Sequence, residues 1–236
     1  MWTGEYPPYT SERFPSGGPV SVIVARALKM VNLETELKFG GWAEVPSNLE
    51  TGNSIAFPYA KNSERLSRYA YSDVIFSGRS RFFTLYDQPA SLFKNKKHWT
   101  GKTYCRPLGW DQESIEVRYK EFNFKVLQVK EMEYCFKLLK ERRVDLVPAA
   151  ESLGWATVHR LFESTHGIQT LDDVADRFDL HVIISKANPK SRPILDALNR
   201  GLRQLKTSGE YKRLLEASKL SVEAPGSSLE KSLKKN

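Results

Sequence analysis

The spacing of apolar residues along the chain switches repeatedly between the helical and the strand period. The clearest helix is predicted over residues 131–141, where Met132, Cys135, Phe136 and Leu139 follow the i, i+3, i+4, i+7 pattern of one apolar face. Short apolar runs between such segments predict buried strands, because they are too short to form helices and are bounded by turn-forming residues. Alternation of both element types along one chain predicts an α/β fold.

The order of the predicted elements gives two α/β units. The first unit has a helix that begins near Pro19, after two glycines, and strands at residues 37–39 and 55–57. The second unit is predicted to contain strands at residues 102–106, 124–129 and 144–147 and helices at 112–119, 131–141, 152–162 and 171–177. Asp111 is the expected N-cap of the helix at 112–119, and a turn or short helix is expected at 43–51. Strands at 81–86 and 180–186 are the predicted crossings between the units.

Composition narrows the class of protein. The chain of 236 residues is 40% apolar and contains no run of about 18 apolar residues, so a soluble globular protein is expected. Its formal charge of +8 is spread along the sequence and interrupted by Asp and Glu. No nucleic-acid recognition signature accompanies this charge, so we predict no nucleic-acid binding and a preference for small anionic ligands.

Motifs of the common enzyme classes are missing. The four histidines show no metal-ligand spacing, and neither cysteine belongs to a Cys-x-x-Cys pair. The sequence also contains no Gly-x-Ser-x-Gly elbow, phosphate-binding loop or dinucleotide fingerprint. We therefore predict no metal site and no cofactor. The missing motifs do not by themselves exclude catalysis, but we expect no enzymatic activity.

Four segments, taken in order, resemble the family 3 extracellular solute-binding proteins of bacteria. The segments are GEYPPY at residues 4–9, FPYAKNSER at 57–65, GKT at 101–103 and RVDLV at 143–147. This family includes the polar amino-acid receptors of ABC transporters and has the type II periplasmic-binding-protein fold. The order and spacing of the segments, more than any one of them, carry the resemblance.

The resemblance implies two lobes, each a mixed, mostly parallel sheet flanked by helices, joined by two hinge crossings. The first lobe would comprise residues 1–84 and 186–236, with 221–236 as a loose tail, and the second residues 88–181. A ligand would bind between the lobes, which close around it by a hinge motion.

The resemblance also implies a function and a location. The chain would be a monomeric periplasmic protein whose signal peptide is absent from the sequence. It would capture a small polar, carboxylate-bearing ligand, an amino acid or a related organic acid, for the permease of an ABC transporter. Two alternatives stay open, which are a dehydratase-like cleft enzyme of the same fold and the ligand-sensing domain of a signalling receptor.

Arg65 is the predicted contact for the ligand carboxylate. In the family's amino-acid receptors a Thr-x-x-Arg segment binds this group, and the matching segment here runs from Asn62 to Arg65. A guanidinium can hold both carboxylate oxygens, and the Asn62 amide can donate in place of the missing threonine. Ala60 of the same segment is also predicted to contact the ligand. The alternative is that Arg65 is a solvated helix residue.

Three aromatic residues and one glycine are predicted to line the cleft. Tyr9 matches the aromatic that ends the family's Tyr-Pro-Pro segment, whereas Trp42 and Trp110 are assigned by position, with core packing as the alternative. Gly109 matches the glycine of the family's second-lobe loop, before a helix whose free N–H groups suit an anion. Trp110 replaces the Ser or Thr that commonly follows it, which weakens that assignment.

The acidic residue that meets the ligand's ammonium group in amino-acid receptors is not at its expected place. The nearest position is Ala150, and Glu151 follows it. Because a buried ammonium group without an acidic partner is costly, either Glu151 takes this role or the ligand lacks an α-amino group. In the dehydratase-like alternative, Glu151 would be the acid or base.

Cys105 and Cys135 are predicted to point into one core, the first from a strand and the second from the apolar face of a helix. In the envelope compartment implied by the resemblance they would form a disulfide bond. Two buried free thiols are the alternative.

Overall fold

The computed structural model describes residues 1–42, 45, 49, 54–110, 113–163 and 167–218. Most of the turn or helix predicted at 43–51, the N-cap at Asp111 and the predicted tail at 221–236 lie outside the described residues. No helix in the described part of the chain is long and apolar enough to cross a membrane.

Strands and helices alternate along the described chain, as the apolar pattern predicts. The strands are β1 (Trp2–Thr3), β2 (Lys38–Phe39), β3 (Ala56–Tyr59), β4 (Tyr69–Tyr71), β5 (Phe76–Leu85), β6 (Thr103–Pro107), β7 (Lys125–Val129), β8 (Val147–Ala150), β9 (Ile168–Thr170) and β10 (Asp176–Ser185). The helices are α1 (Pro19–Lys29), α2 (Ser63–Arg68), α3 (Lys96–Trp99), α4 (Glu113–Arg118), α5 (Met132–Lys140), α6 (Glu151–Leu161), α7 (Ser191–Thr207) and α8 (Glu210–Ala217).

The two long strands β5 and β10 connect the halves of the molecule. They pair antiparallel with each other over Phe76–Ser80 and Asp176–Leu180. Beyond this shared stretch, β10 pairs with β3 and β4, whereas β5 pairs with β8 and β9. Strand β10 thus passes from pairing with β5 to pairing with β3 and β4, and it joins the two halves through β5. The two predicted crossing segments, 81–86 and 180–186, lie almost entirely within these two strands, although the strands pair with each other just before those segments.

Eight strands form one sheet of mixed direction that runs through both halves, in the order β2-β1-β3-β10-β5-β8 with β4 beside β10 and β9 beside β5, and β6 and β7 form a separate pair. The pairs β1–β2, β1–β3 and β6–β7 are parallel, whereas every pair formed by β5 or β10 is antiparallel. Helices α1, α7 and α8 pack together on one half, and α5 and α6 pack against β5, β6 and β8 on the other. The fold is therefore the predicted α/β class, with its parallel strands away from the hinge. The residue bounds of the lobes stay a prediction.

Helix α1 shows how the sequence fixes one of these packings. Pro19 occupies its first turn, where the missing N–H costs nothing, and Ile23, Val24 and Ala27 form a fully buried face. This face lies against α7 at Gly201, where an added Cβ would come within 1.8 Å of the Ala27 carbonyl oxygen. Only a glycine allows the two helices to approach this closely.

The predicted disulfide bond is present between Cys105 of β6 and Cys135 of α5. Both cysteines are fully buried, and the other apolar residues of α5 on the same face, Met132, Phe136 and Leu139, join them in the core. The predicted amphipathic helix therefore packs as its pattern indicated.

The helix predicted at residues 171–177 is wrong. Leu171 and Val174 are buried three residues apart, as on a helix, but they enter the core from an irregular loop. The Asp173 carboxylate between them accepts hydrogen bonds from the Leu92 and Phe93 N–H groups, at 2.7 and 2.8 Å. These nonlocal hydrogen bonds tie the loop to residues 92–93, and β10 begins directly after the loop.

A candidate ligand-binding cleft

A cleft of about 690 Å³ lies above the hinge strands. We call one side of the cleft the first wall; it comprises Tyr6, Trp42, Pro58, Tyr59, Ala60, Lys61 and Arg65. The second wall, on the other side, comprises Arg106, Gly109, Trp110, the α4 residues Ser114, Ile115, Val117 and Arg118, and residues 148–150. The floor comprises Ser80, Phe82 and residues 176–181 of the hinge strands. The structure thus brings Ala60, Arg65, Trp42, Gly109 and Trp110, all predicted from the sequence, to one cleft.

Arg65 reaches from the first wall to the second. Asn62 is the N-cap of α2, since its Oδ1 accepts the Arg65 backbone N–H at 2.8 Å, and this fixes the start of the helix. The Arg65 guanidinium donates from Nη1 to the Ala60 carbonyl at 3.2 Å and from Nη2 to the Gly109 carbonyl at 2.8 Å. Its Cζ lies 5.1 Å from the ring centroid of Tyr59. The side chain is therefore held in place, and it bridges the cleft.

Three aromatic rings meet at the same end of the cleft. The Tyr6 ring makes edge contacts with Trp110, at a centroid distance of 5.1 Å, and with Trp42, at 6.3 Å. The Trp42 indole N–H donates to the Glu5 carbonyl at 3.0 Å, which fixes its ring. These rings give both walls flat surfaces against which a ligand can pack.

Tyr9 does not line the cleft, contrary to the sequence prediction. Its side chain is 1% exposed, its ring packs 4.9 Å from that of Phe76, and its hydroxyl is hydrogen-bonded to Ser152. Burial raises the pKa of Tyr9 to about 12. Tyr6, at the other end of the same Tyr-Pro-Pro-Tyr segment, provides the cleft surface instead.

Glu151 is also turned away from the cleft. It is the first residue of α6, and its Oε2 lies 3.6 Å from the Arg81 Nε in an ion pair. Its neighbours Pro148, Ala149 and Ala150 line the second wall with apolar surface. The sequence prediction that Glu151 contacts the ligand therefore has no support in this geometry.

The floor carries charged residues that the sequence analysis did not identify. Asp176 accepts hydrogen bonds from the Arg118 guanidinium and from the Tyr119 hydroxyl. Asp179 accepts from the Ser77 hydroxyl at 2.5 Å and from the Arg177 Nε at 3.1 Å. Desolvation opposes the ionisation of Asp179, but these hydrogen bonds outweigh it and hold its pKa below the ordinary value.

His181 lies beside these groups on β10 and is 5% exposed. Its Nδ1 is 2.8 Å from the Ser72 carbonyl oxygen, which makes Nδ1 the protonated nitrogen of the neutral ring. Burial lowers the pKa of His181. Residues two apart on a strand lie on the same face of the sheet. The sequence would therefore have predicted that Asp179 and His181 lie side by side, had the predicted strand begun before residue 179.

A second contact joins the walls next to Arg65. Glu113 of α4 accepts the Ser63 backbone N–H at 2.7 Å and also the Ser63 hydroxyl. These hydrogen bonds lower the pKa of Glu113. Glu113 lies in a smaller groove of about 430 Å³, where Asn62 is also found. This groove shares Arg65, Arg106, Gly109 and Trp110 with the cleft.

No family model matches the sequence, and no curated protein matches it significantly. Solved structures do resemble the described fold. An amino acid ABC transporter substrate-binding protein from Streptococcus pneumoniae, bound to L-arginine, is 18% identical with a TM-score of 0.71, over 95% of this chain and 96% of that one. A histidine kinase sensor domain with similarity to periplasmic binding proteins is 17% identical with a TM-score of 0.75, over 95% and 96%. An ancestral amino acid-binding protein, a precursor of cyclohexadienyl dehydratase, is 18% identical with a TM-score of 0.68, over 92% and 93%.

At these identities the likeness establishes the fold and leaves the ligand open. It spans nearly the whole length of all three chains, so it covers both lobes and both hinge crossings. The chain therefore has the two-lobed type II periplasmic-binding-protein fold that its sequence motifs implied.

Proposed function

We propose that this chain is a solute-binding protein that captures a small polar, carboxylate-bearing ligand in the cleft. The position of Arg65 carries this proposal. Its guanidinium has five N–H donors, of which the carbonyls of Ala60 and Gly109 use two. Three donors are left for a ligand, and a planar guanidinium fork matches a carboxylate in a bidentate arrangement.

The size and shape of the cleft fit this role. A volume of about 690 Å³ is in the range of sites for small molecules. The aromatic rings at one end of the cleft offer apolar contacts to a ligand, and the charged residues of the floor offer polar contacts to the same ligand. The hinge strands below allow the walls to separate for entry and release.

Delivery of the ligand to the permease of an ABC transporter, as a monomeric exported protein, is part of the proposal. It is supported by the likeness to a transporter's substrate-binding protein. The likeness to a histidine kinase sensor domain, which has the higher TM-score of the two, supports ligand sensing as the second candidate. Both roles need reversible binding without turnover, and both use the same cleft.

The proposal is tested by ligand-dependent thermal stabilisation. Amino acids and organic acids are screened at fixed protein concentration, because a ligand that binds only the folded state raises the midpoint of unfolding. A ligand that is recovered unchanged after prolonged incubation distinguishes binding from catalysis.

Two variants locate the site. Arg65→Ala is expected to weaken binding of any carboxylate hit at least tenfold, since it removes a charge-assisted bidentate contact. Arg200→Ala, on the exposed side of α7 and outside the cleft, is the matched control and is expected to bind as the parent does. Unchanged affinity in Arg65→Ala would refute the assignment of Arg65.

A further inference from the structure

We infer that the ligand carries two negative charges and no ammonium group, as a dicarboxylate does. This inference rests on the proposed function and deepens it. It comes from how the charges that line the cleft are already paired within the described structure. The cleft holds five cationic side chains and two carboxylates, a formal charge of +3 with His181 neutral, and the cations are Lys61, Arg65, Arg106, Arg118 and Arg177.

Both carboxylates that line the cleft already have an arginine partner. Asp176 pairs with Arg118, and Asp179 pairs with Arg177 at 3.1 Å. Each aspartate also accepts a hydroxyl hydrogen bond, from Tyr119 and Ser77 respectively. A ligand ammonium group would have to displace or share an existing guanidinium contact.

The second wall, where the acceptor for a ligand ammonium group would be expected, has no carboxylate side chain among its lining residues. Residues 148–150 line the second wall, and the neighbouring Glu151 turns to Arg81 instead. Glu113 accepts hydrogen bonds from Ser63 and lies in the smaller groove, outside the cleft lining. An ammonium group buried against Ala150 would lose its hydration without gaining an ionic partner.

Two of the cations, in contrast, have no carboxylate partner among the described residues. Arg65 donates only to backbone carbonyls, and Lys61 lies with its Nζ 5.8 Å from the ring centroid of Tyr71. Neither cation has a carboxylate within ion-pair distance among the described residues. Lys61 is exposed to solvent, and Arg65 also borders the smaller groove, whose lining includes Glu64, Glu113 and Glu116. An anionic ligand supplies the missing countercharge.

The two cations belong to one cluster of the first wall. The Ala60 carbonyl accepts a hydrogen bond from Arg65 Nη1 at 3.2 Å and another from the Tyr71 hydroxyl at 3.4 Å. Tyr71 is also the ring over which Lys61 lies, and its centroid is 5.6 Å from that of His181. One small ligand can therefore place a carboxylate on each cation.

Matched pairs of compounds test the inference by isothermal titration calorimetry. Glutarate is compared with L-glutamate, succinate with L-aspartate, and butyrate serves as a monocarboxylate. The expected result is that at least one dicarboxylate binds tenfold or more tightly than its 2-amino counterpart and than butyrate. Tighter binding of the amino acid in both pairs would overturn the inference and leave the proposed function standing. Absence of binding by every carboxylate would overturn both.

A charge-removing variant supplies the second arm. Lys61→Met keeps an unbranched side chain that is only one heavy atom shorter, and it removes the charge. It is expected to weaken dicarboxylate binding at least tenfold and to leave butyrate binding unchanged. Lys94→Met, in the exposed loop after β5, is the control and should bind as the parent does. If Lys61→Met binds the dicarboxylate with parental affinity, the second anionic contact is refuted.

Discussion

Replacing Cys105 and Cys135 together by alanine removes the covalent link between β6 and α5, and its cost can be worked out from the chain. The two cysteines are 30 residues apart. Closing a loop of this length in the unfolded chain lowers its entropy enough to contribute about 4 kcal/mol to stability at 25 °C. The alanines also leave two buried gaps the size of a sulfur atom, each of which costs about 1 kcal/mol. The double variant should therefore lose about 6 kcal/mol.

Urea denaturation, followed by tryptophan fluorescence and far-ultraviolet circular dichroism, measures this loss. Oxidised parent, reduced parent and double variant are compared, because the reduced parent keeps both sulfur atoms and isolates the effect of the bond. Coincident transitions in the two signals are required before a single free energy of unfolding is assigned. If reduction changes that free energy by less than about 1 kcal/mol, loop entropy does not account for the role of the bond.

Two further substitutions test packing and closure. Gly201→Ala is expected to lower the free energy of unfolding, measured by urea denaturation, by about 3 kcal/mol, because its Cβ would overlap the Ala27 carbonyl. Gly40→Ala is the control and should change this free energy little, since the nearest neighbour of its Cβ would be 3.6 Å away. Glu113→Ala removes the hydrogen bonds from Ser63 across the cleft, so small-angle scattering should report a larger radius of gyration. Since these bonds lower the pKa of Glu113, acidification below the ordinary glutamate range should have the same effect on the parent. An unchanged radius in both cases would show that this contact does not hold the walls together.

Elements with a complete local pattern were predictable from the sequence. Helix α5 has four apolar residues at helical spacing, and all four are buried. The hinge strand β10 was expected over residues 180–186, and the structure places it over Asp176–Ser185. Its first residues are polar because they form the cleft floor, and for that reason the apolar pattern did not include them.

The cleft residues were predictable only where one local segment positions them. Asn62 and Arg65 belong to one helical turn, so their relation follows from the sequence. Whether Tyr6 or Tyr9 faces the cleft depends on the path of the chain through the two intervening prolines. The resemblance favoured Tyr9, and the residues themselves do not distinguish the two tyrosines. The pairing of Asp176 with Arg118 joins residues 58 positions apart and follows from tertiary packing alone.

In the proposed binding role, the pairing of β5 with β10 would make ligand recognition and lobe movement mechanically dependent on each other. Asp179 and His181 face the cleft from the strand that also forms the axis of bending, and Asp179 is the register partner of Ser77 on the other strand. A substitution there would change both the proposed ligand contacts and the stiffness of the paired strands. Lys61 and Arg65 lie outside these two strands, so the substitutions proposed at these positions would leave the axis itself unchanged.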